Sequence, residues 1–318
     1  MVCSGLTALT TTGRRRWTVP LSQIEGGPPV LAPTGLVLAN ANSGRTMYRH
    51  LFVVALSTAT GAQRWAVHTL PWSTLHGNVP NSKGLAPLVT ATGLLYMPFA
   101  GPDHVNAGIE VFSPTGQPLR RLLANVVPAA VAVARDGSVY ELGGQRLVAL
   151  TARGTTRWTL PIAASGFHGA LLVGQQGVIY AGDAAALVAC TSHGRVLWRR
   201  HLRGEVAALA ERADGVVLAV GATGMSAVDP ASRPLWHRAW SPASASPAFP
   251  PSIAVDARGR TYVGTADGMV RAIAPDGMVL WSLPGGAPTT LGKTPSVALG
   301  PDGTLAIAGT DGRLRAYR

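Results

Sequence analysis

The stretch Leu147–Trp158, LVALTARGTTRW, decides the fold of this chain. It contains a short apolar strand, a turn with a glycine and a second strand with a tryptophan, an order typical of a β-hairpin. A small residue, a turn residue and an aromatic residue recur with this spacing along the whole chain. The full copies are Ala8–Gly13–Trp17, Ala55–Gly61–Trp65, Val111–Gly116–Arg120, Ala149–Gly154–Trp158, Ala189–Gly194–Trp198, Ala227–Ser232–Trp236 and Ala272–Gly277–Trp281, and an eighth begins at Ala316.

The spacing of the copies, 38 to 56 residues, is typical of the blades of a β-propeller. Each unit divides into four short runs rich in Val, Ile, Tyr and Thr, and turn pairs such as Asp-Gly separate many of these runs. No segment has a sustained apolar period of 3.6 residues, so we expect almost no helix. The Asp-Gly pairs begin at Asp136, Asp214, Asp267, Asp276, Asp302 and Asp311.

The two ends of the chain suggest how the propeller closes. The last runs, PSVALG, TLAIAGT and RLRAYR, provide strands one to three of a blade, and RRRWTVPL near the start provides a fourth strand. Residues 1–318 are therefore expected to form one domain, an all-β seven-bladed β-propeller of four-stranded antiparallel blades. Its ring would be closed by the N- and C-terminal strands, leaving the third-strand copy at Leu6–Thr10 redundant. The alternative is an incomplete eight-bladed propeller.

The recurring tryptophans are interpreted as structural residues that dock one blade on the next. Each ring is expected to lie against the small residue of the neighbouring blade, where the alanine that begins each copy leaves room for it. The third copy has Val111 and Arg120 instead, and we expect its contact to be the loosest. The docking residues are Trp17, Trp65, Trp158, Trp198, Trp236 and Trp281.

The formal net charge is +12, and 25 of the 27 basic residues are arginines. Many of the arginines fall in the last turn or the fourth strand of a blade, where charge prevents edge-to-edge pairing of sheets. A polyanion-binding rim is the alternative interpretation. These residues are Arg14, Arg15, Arg16, Arg64, Arg120, Arg121, Arg157, Arg199, Arg200, Arg203 and Arg238.

The sequence contains few signs of catalytic or metal chemistry. His-x-His and Cys-x-x-Cys spacings are absent, and so is a Gly-x-Ser-x-Gly elbow. Cys190 is expected to be a buried small hydrophobe, and Cys3 a free thiol or, as an alternative, a lipoprotein cysteine. His193, His201 and His237 are expected on the surface. No apolar run is long enough for a membrane span, and no signal peptide is evident.

The pattern Ala-x-x-x-x-Gly-x-x-x-Trp resembles the pyrroloquinoline-quinone (PQQ)-like, BamB-like propeller repeat family. The instances are ALTARGTTRW at Ala149–Trp158, AIAPDGMVLW at Ala272–Trp281 and, with one extra residue, ALSTATGAQRW at Ala55–Trp65. The resemblance implies a propeller, and its enzymes imply a quinone, a calcium ion and a catalytic Asp. The chain has no Cys-Cys pair and many of its acidic residues lie in turns, so we expect no cofactor, no metal and no catalytic residues. The family also implies a bacterial periplasm or cell-envelope location.

Loop length points to a candidate binding face. The connections between strands two and three and between successive blades emerge on the same face, where long loops tend to carry binding residues. Three of the five long connections, Asn40–His50, His68–Ala86 and Ala100–Ala107, belong to the first two complete blades, and the other two are Arg238–Pro250 and Pro284–Thr294. Trp72 is out of register with the docking tryptophans, so it is a candidate interface anchor; folding back over the blade is the alternative. The predicted partner-binding residues are Arg45, Tyr48, His50, Trp72, His76, Asn78, Asn81, Lys83, Asp103, His104 and Asn106.

The leading functional hypothesis is a non-catalytic scaffold. It would bind a protein, a peptide or an envelope polymer through the long-loop face, as a monomer. A quinone-dependent dehydrogenase or other small-molecule enzyme is the first alternative, and a polyanion binder that uses the arginine rim is the second. Nucleic acid is not expected as a partner.

Overall fold

A computed structural model describes most of the chain, and every described regular element is a β-strand. The structure divides into two compact units, Met1–Thr159 and Leu160–Arg318. The described residues are 5–10, 12–20, 29–42, 48–49, 51–68, 72–73, 87–100, 107–123, 128–162, 169–183, 186–221, 223–240, 251–286 and 294–318.

The first unit begins with a hairpin and contains the strands of three blades. Its strands are β1 (Gly5–Leu9), β2 (Arg15–Pro20), β3 (Val30–Ala32), β4 (Leu36–Asn42), β5 (Tyr48–Arg49), β6 (Leu51–Ser57), β7 (Gln63–His68), β8 (Trp72–Ser73), β9 (Leu88–Val89), β10 (Leu95–Ala100), β11 (Ala107–Phe112), β12 (Pro118–Leu123), β13 (Ala130–Val133), β14 (Val139–Gly143) and β15 (Arg146–Leu150), with β16 (Thr156–Pro161) at the boundary.

The second unit repeats the same strand pattern. Its strands are β17 (Ala170–Val173), β18 (Ile179–Asp183), β19 (Ala186–Cys190), β20 (Val196–His201), β21 (Ala208–Glu211), β22 (Val217–Val220), β23 (Gly224–Val228), β24 (Pro234–Ala239), β25 (Ile253–Val255), β26 (Thr261–Gly264), β27 (Met269–Ile273), β28 (Val279–Pro284), β29 (Ser296–Leu299), β30 (Leu305–Ala308) and β31 (Leu314–Tyr317).

The sheets confirm the predicted fold, an all-β seven-bladed β-propeller with antiparallel blades. Six blades have four strands in chain order: blade 1 (β3, β4, β6, β7), blade 2 (β9–β12), blade 3 (β13–β16), blade 4 (β17–β20), blade 5 (β21–β24) and blade 6 (β25–β28). Blade 7 contains β29–β31, and the hairpin β1–β2 forms a separate two-stranded sheet. The described residues contain no helix, as the lack of helical periodicity predicted.

Each chain end pairs with its own neighbour among the described strands, which differs from the predicted pairing of the two ends with each other. Strand β2 pairs with β1, where Ala8 lies opposite Trp17, and β31 pairs with β30 as the last strand of its sheet. The third-strand copy at Leu6–Thr10 is therefore the partner of β2 and is not redundant. A hairpin closed by a short turn orders less chain than pairing of distant ends, so the local pairing has the lower entropic cost.

The alanine of each repeat has a different role from the one predicted. Ala189 lies opposite Tyr180 on one side and opposite Trp198 on the other, all within blade 4. The small alanine lets the two rings meet across the middle strand, with centroids 6.0 Å apart. Tyr140 with Trp158 and Tyr262 with Trp281 make the same contact at 5.9 Å. The alanine therefore makes room for the tryptophan within its own blade. The tyrosine that contacts the tryptophan was not predicted from the sequence.

The small residue that the tryptophan meets on the next blade is the turn glycine. A β-carbon added to Gly277 would lie 2.6 Å from Cδ2 of Trp236, so only a glycine leaves room for the ring. The indole Nε1–H of Trp236 also donates a hydrogen bond to the carbonyl oxygen of Pro275 in the same turn, at 2.8 Å. The same two contacts join Trp17 to Gly61 and Thr58, and Trp65 to Gly116 and Pro114.

Two blades depart from this arrangement. Ser232 takes the place of the turn glycine in blade 5 and adopts the left-handed conformation itself, with φ of 69°, while Trp198 still donates to the carbonyl of Pro230. In blade 2, where Arg120 replaces the tryptophan, buried Leu122 lies over Gly154 of blade 3 instead. An apolar side chain two residues further along the strand thus covers the turn that the ring would have covered.

We predict that Gly277→Ala destabilises the protein more than Gly177→Ala. Both glycines have a left-handed φ, but the space beside Gly177 is open whereas Gly277 carries the ring of Trp236. Gly177→Ala should therefore incur only the backbone cost of about 1–2 kcal/mol, and Gly277→Ala about 1–3 kcal/mol more. Urea denaturation followed by tryptophan fluorescence measures both. Equal losses of stability would show that the ring contact contributes nothing.

Candidate partner-binding face

The second and third strands of blade 1 extend further than those of most other blades. Strands β4 and β6 have seven residues each and remain paired up to Asn42 opposite Leu51. The corresponding strands of blades 3 to 7 have four or five residues.

A short strand pair joins two of the predicted long loops. Tyr48 and Arg49 form β5, which pairs with β8, so that Tyr48 lies opposite Ser73 and Arg49 opposite Trp72. The loop between strands two and three of blade 1 is thereby hydrogen-bonded to the connection that leads from blade 1 to blade 2. Two of the predicted binding residues, Tyr48 and Trp72, therefore lie on the two strands of one pair.

The remaining predicted binding residues lie outside the described part of the chain. These are Arg45, His50, His76, Asn78, Asn81, Lys83, Asp103, His104 and Asn106. The structure adds Arg49 and Ser73, which the sequence argument missed. Only their position in the same long loops could have indicated them, because neither belongs to a recognisable motif.

Blade 2 contributes a second long hairpin to this face. Strands β10 and β11 pair from Leu95 opposite Phe112 to Ala100 opposite Ala107. They share a buried core with blade 1, in which Leu38 and Val53 pack with Leu95. The two hairpins therefore rise from adjacent blades that are held together by a common apolar core.

One buried carboxyl group stands apart from the apolar pattern. Glu141 on β14 is fully buried between Val131 and Val148, and neither carboxyl oxygen has a hydrogen-bond partner among the described residues. Burial raises the pKa of Glu141 to about 8, against the opposing effect of the Arg146 guanidinium. The group is thus mainly protonated at neutral pH. Blades 4 and 5 have alanines at this position, Ala181 and Ala219.

The described acidic, histidine and cysteine side chains are dispersed. No group of three His, Cys, Asp or Glu side chains lies close enough among them to hold a metal ion. Glu141 is mainly protonated at neutral pH, whereas a calcium site needs several converging anionic or carbonyl oxygens. Cys190 is buried as expected, and burial raises the pKa of its thiol to about 11, which makes it a poor nucleophile.

The histidines only partly follow expectation. His193 and His201 are exposed, as expected. His237 is half-buried, with Nδ1 3.0 Å from Oγ of Ser226, and burial together with the charge of Arg203 lowers the pKa of His237. The prediction of a solvated His237 was wrong because the third strand beside it offers a hydroxyl partner.

Many arginines have partners inside the scaffold. Arg200 and Arg238, predicted as edge charges, donate to the turn carbonyls of Ser232 and Gly277 on the next blade, two residues after the docking tryptophans. Other arginines form ion pairs within a turn or across a strand pair. These are Arg121 with Glu110, Arg212 with Asp214, Arg233 with Asp229, Arg260 with Asp256, Arg271 with Asp267 and Arg315 with Asp311.

Comparison with known proteins identifies the family to which the repeat belongs. The sequence model of the family described as outer membrane protein assembly factor BamB matches residues 143–318. The chain belongs to this family. A search of curated protein sequences found no match.

Several solved structures share the fold of this BamB-family chain at low sequence identity. BamB from Moraxella catarrhalis is 17% identical with a TM-score of 0.68, covering 100% of this chain and 94% of that one. Streptogramin B lyase is 14% identical with a TM-score of 0.63, covering 93% and 94%. A europium-containing methanol dehydrogenase is 12% identical with a TM-score of 0.64, covering 95% and 78%. Proteins named as an assembly factor, a lyase and a dehydrogenase share the fold, so the fold alone assigns no activity.

We predict that Glu141 makes the stability of the protein depend on pH. The folded state, with a pKa of about 8, holds the proton more tightly than the unfolded chain, whose reference value is 4.5. The free energy of unfolding should therefore fall as the pH rises between these values, by up to about 1.4 kcal/mol per pH unit.

Denaturation with urea at a series of pH values tests this, with Glu141→Gln as the comparison. The amide keeps the size of the side chain but does not titrate, so the variant should lose this slope and become the more stable protein near pH 8. Parallel profiles of the two proteins would contradict the assignment.

Proposed function

We propose that the chain is a non-catalytic propeller scaffold that binds a protein, a peptide or an envelope polymer through the long-loop face of blades 1 and 2. The observation that carries the proposal is the pairing of β5 with β8. It joins two long loops by backbone hydrogen bonds on the face where sequence reasoning placed the binding residues. Loops that are ordered on a rigid support lose less entropy on binding a partner.

The base of this face is well suited to hold such loops. Val53, Leu95 and Ile109 are buried almost completely in the cores of the first unit. The long hairpins of blades 1 and 2 continue directly from these strands, so their backbone directions are set by the sheets. A partner would thus meet loops whose ends are fixed.

Family membership supports a protein partner and an envelope location. The description of the family names an assembly factor for outer membrane proteins, and assembly factors act on other proteins. A periplasmic or cell-envelope location is part of this proposal. None of the described residues lies in a helix that could cross a membrane. The proposal treats the chain as a monomeric single domain with no cofactor.

We predict that substitutions in the β5–β8 pair weaken partner recovery. Trp72→Ala combined with Arg49→Ala truncates two residues that are register partners in the pair, and tryptophan is a frequent interface anchor. The immobilised chain is incubated with a bacterial envelope extract, and retained proteins are quantified by mass spectrometry. Loss of an anchor should lower the recovery of a specific partner about tenfold or more.

The control replaces another long connection, 241–250 between blades 5 and 6, with a short Gly-Ser linker. This variant should recover the same partners as the original chain. Equal recovery by all three proteins would count decisively against the long-loop face, and so would a loss confined to the control.

A further inference from the structure

The outer edge of blade 4 carries a cluster of positive charge. Strand β20 is the last strand of its sheet, so one side of its backbone has no strand partner among the described residues. The stretch from Thr191 to Arg203, TSHGRVLWRRHLR, has four arginines and no acidic residue. Arg195 and Arg203 are exposed, and neither lies within ion-pair distance of a carboxylate in the described part of the chain.

The neighbouring outer strands lack this surplus. On β24, Arg238 is bound to the next turn, and Arg233 beside the strand is paired with Asp229. Strand β28 contains no arginine. Arg233 and Arg238 thus have partners in the scaffold, whereas Arg195 and Arg203, which flank β20, are exposed.

Apolar side chains lie on the same edge. Val196 and Leu197, at the start of β20, are each 42% exposed. Exposed backbone groups next to apolar side chains form a template to which an extended chain can pair, and natural sheets usually protect such edges with charge. Here the exposed charges are all positive, so they repel a basic strand and attract an acidic one.

We propose that the outer edge of β20 binds an acidic, partly apolar, extended segment of another protein by strand addition. Backbone pairing with the open side of β20 provides the affinity, and contacts with Val196 and Leu197 provide the apolar part of the interface. Arg195 and Arg203 select for carboxylates on the added strand. This surface is on blade 4, so the proposal is independent of the long-loop face of blades 1 and 2.

The test uses the full chain and a fluorescein-labelled peptide of about twelve residues that alternates Glu and Val, a pattern suited to strand pairing. Binding is measured by fluorescence anisotropy. A second peptide of the same sequence carries N-methyl groups on alternate residues, which block backbone pairing along one edge but keep the charge. We expect the N-methylated peptide to bind about tenfold more weakly or not at all, since strand addition depends on these hydrogen bonds.

Two chain variants locate the site. Arg195→Glu should weaken binding of the parent peptide about tenfold, because it reverses one of the selecting charges. Arg258→Glu, which changes an exposed arginine in a turn of blade 6, makes the same change in net charge and should have a much smaller effect. Circular dichroism is used to check that both variants are folded.

The outcomes separate strand addition from simple charge attraction. Equal binding of the two peptides would overturn the proposal, as would equal effects of the two substitutions or a failure of the parent peptide to bind. A single-stranded oligothymidine of matched charge is measured in parallel. If it binds more tightly than the peptide, with an affinity that falls steeply with salt, the edge is a polyanion site and the proposal is wrong.

Discussion

The structure depends on one recurring contact, in which a tryptophan ring from one blade lies on the turn glycine of the next. The ring of Trp236 fills the space that a side chain at Gly277 would need, and its N–H group satisfies a carbonyl of the same turn. An apolar contact and a hydrogen bond are thus made by a single side chain. The contact recurs with Trp17 and Trp65, so each blade is positioned by the one before it within the described parts of each unit.

This contact explains the rest of the repeat. Trp198 must remain on the face that looks toward the next blade, and the small Ala189 lets it also lean on Tyr180 of its own blade. Edge-to-face or tilted aromatic pairs contribute about 0.5–1.5 kcal/mol beyond the area they bury. Arg200, two residues later, then reaches a second carbonyl of the same turn. Tyrosine, alanine, glycine, tryptophan and arginine therefore act as one unit, which leaves little of the outer half of a blade free for function.

Residues that make none of these repeat contacts are free to vary without disturbing the scaffold. The hairpins formed by the second and third strands carry no docking tryptophan. In blade 1 this hairpin is extended, and its loop pairs with the connection to blade 2 where Arg49 lies opposite Trp72. Glu141 is another departure, since a carboxyl group occupies a position that is apolar in neighbouring blades. Blade 4 departs from the repeat in the charge of its outer strand. These three places carry what distinguishes this BamB-family chain from a generic propeller.

The sequence by itself determined the repeating order of strands and turns within a blade and identified Trp17, Trp65, Trp198 and Trp236 as docking residues. Strand alternation and turn glycines act over a few residues, so they can be recognised from LVALTARGTTRW and its copies alone. The tertiary structure decided which backbone edges meet and which side chains share a contact. It paired β2 with β1, placed Ala189 between two rings of one blade, buried Glu141 without a hydrogen-bond partner among the described residues and joined β5 to β8. These features depend on which of several possible strand partners is chosen and on how side chains pack across strands, and neither is contained in the local repeat pattern.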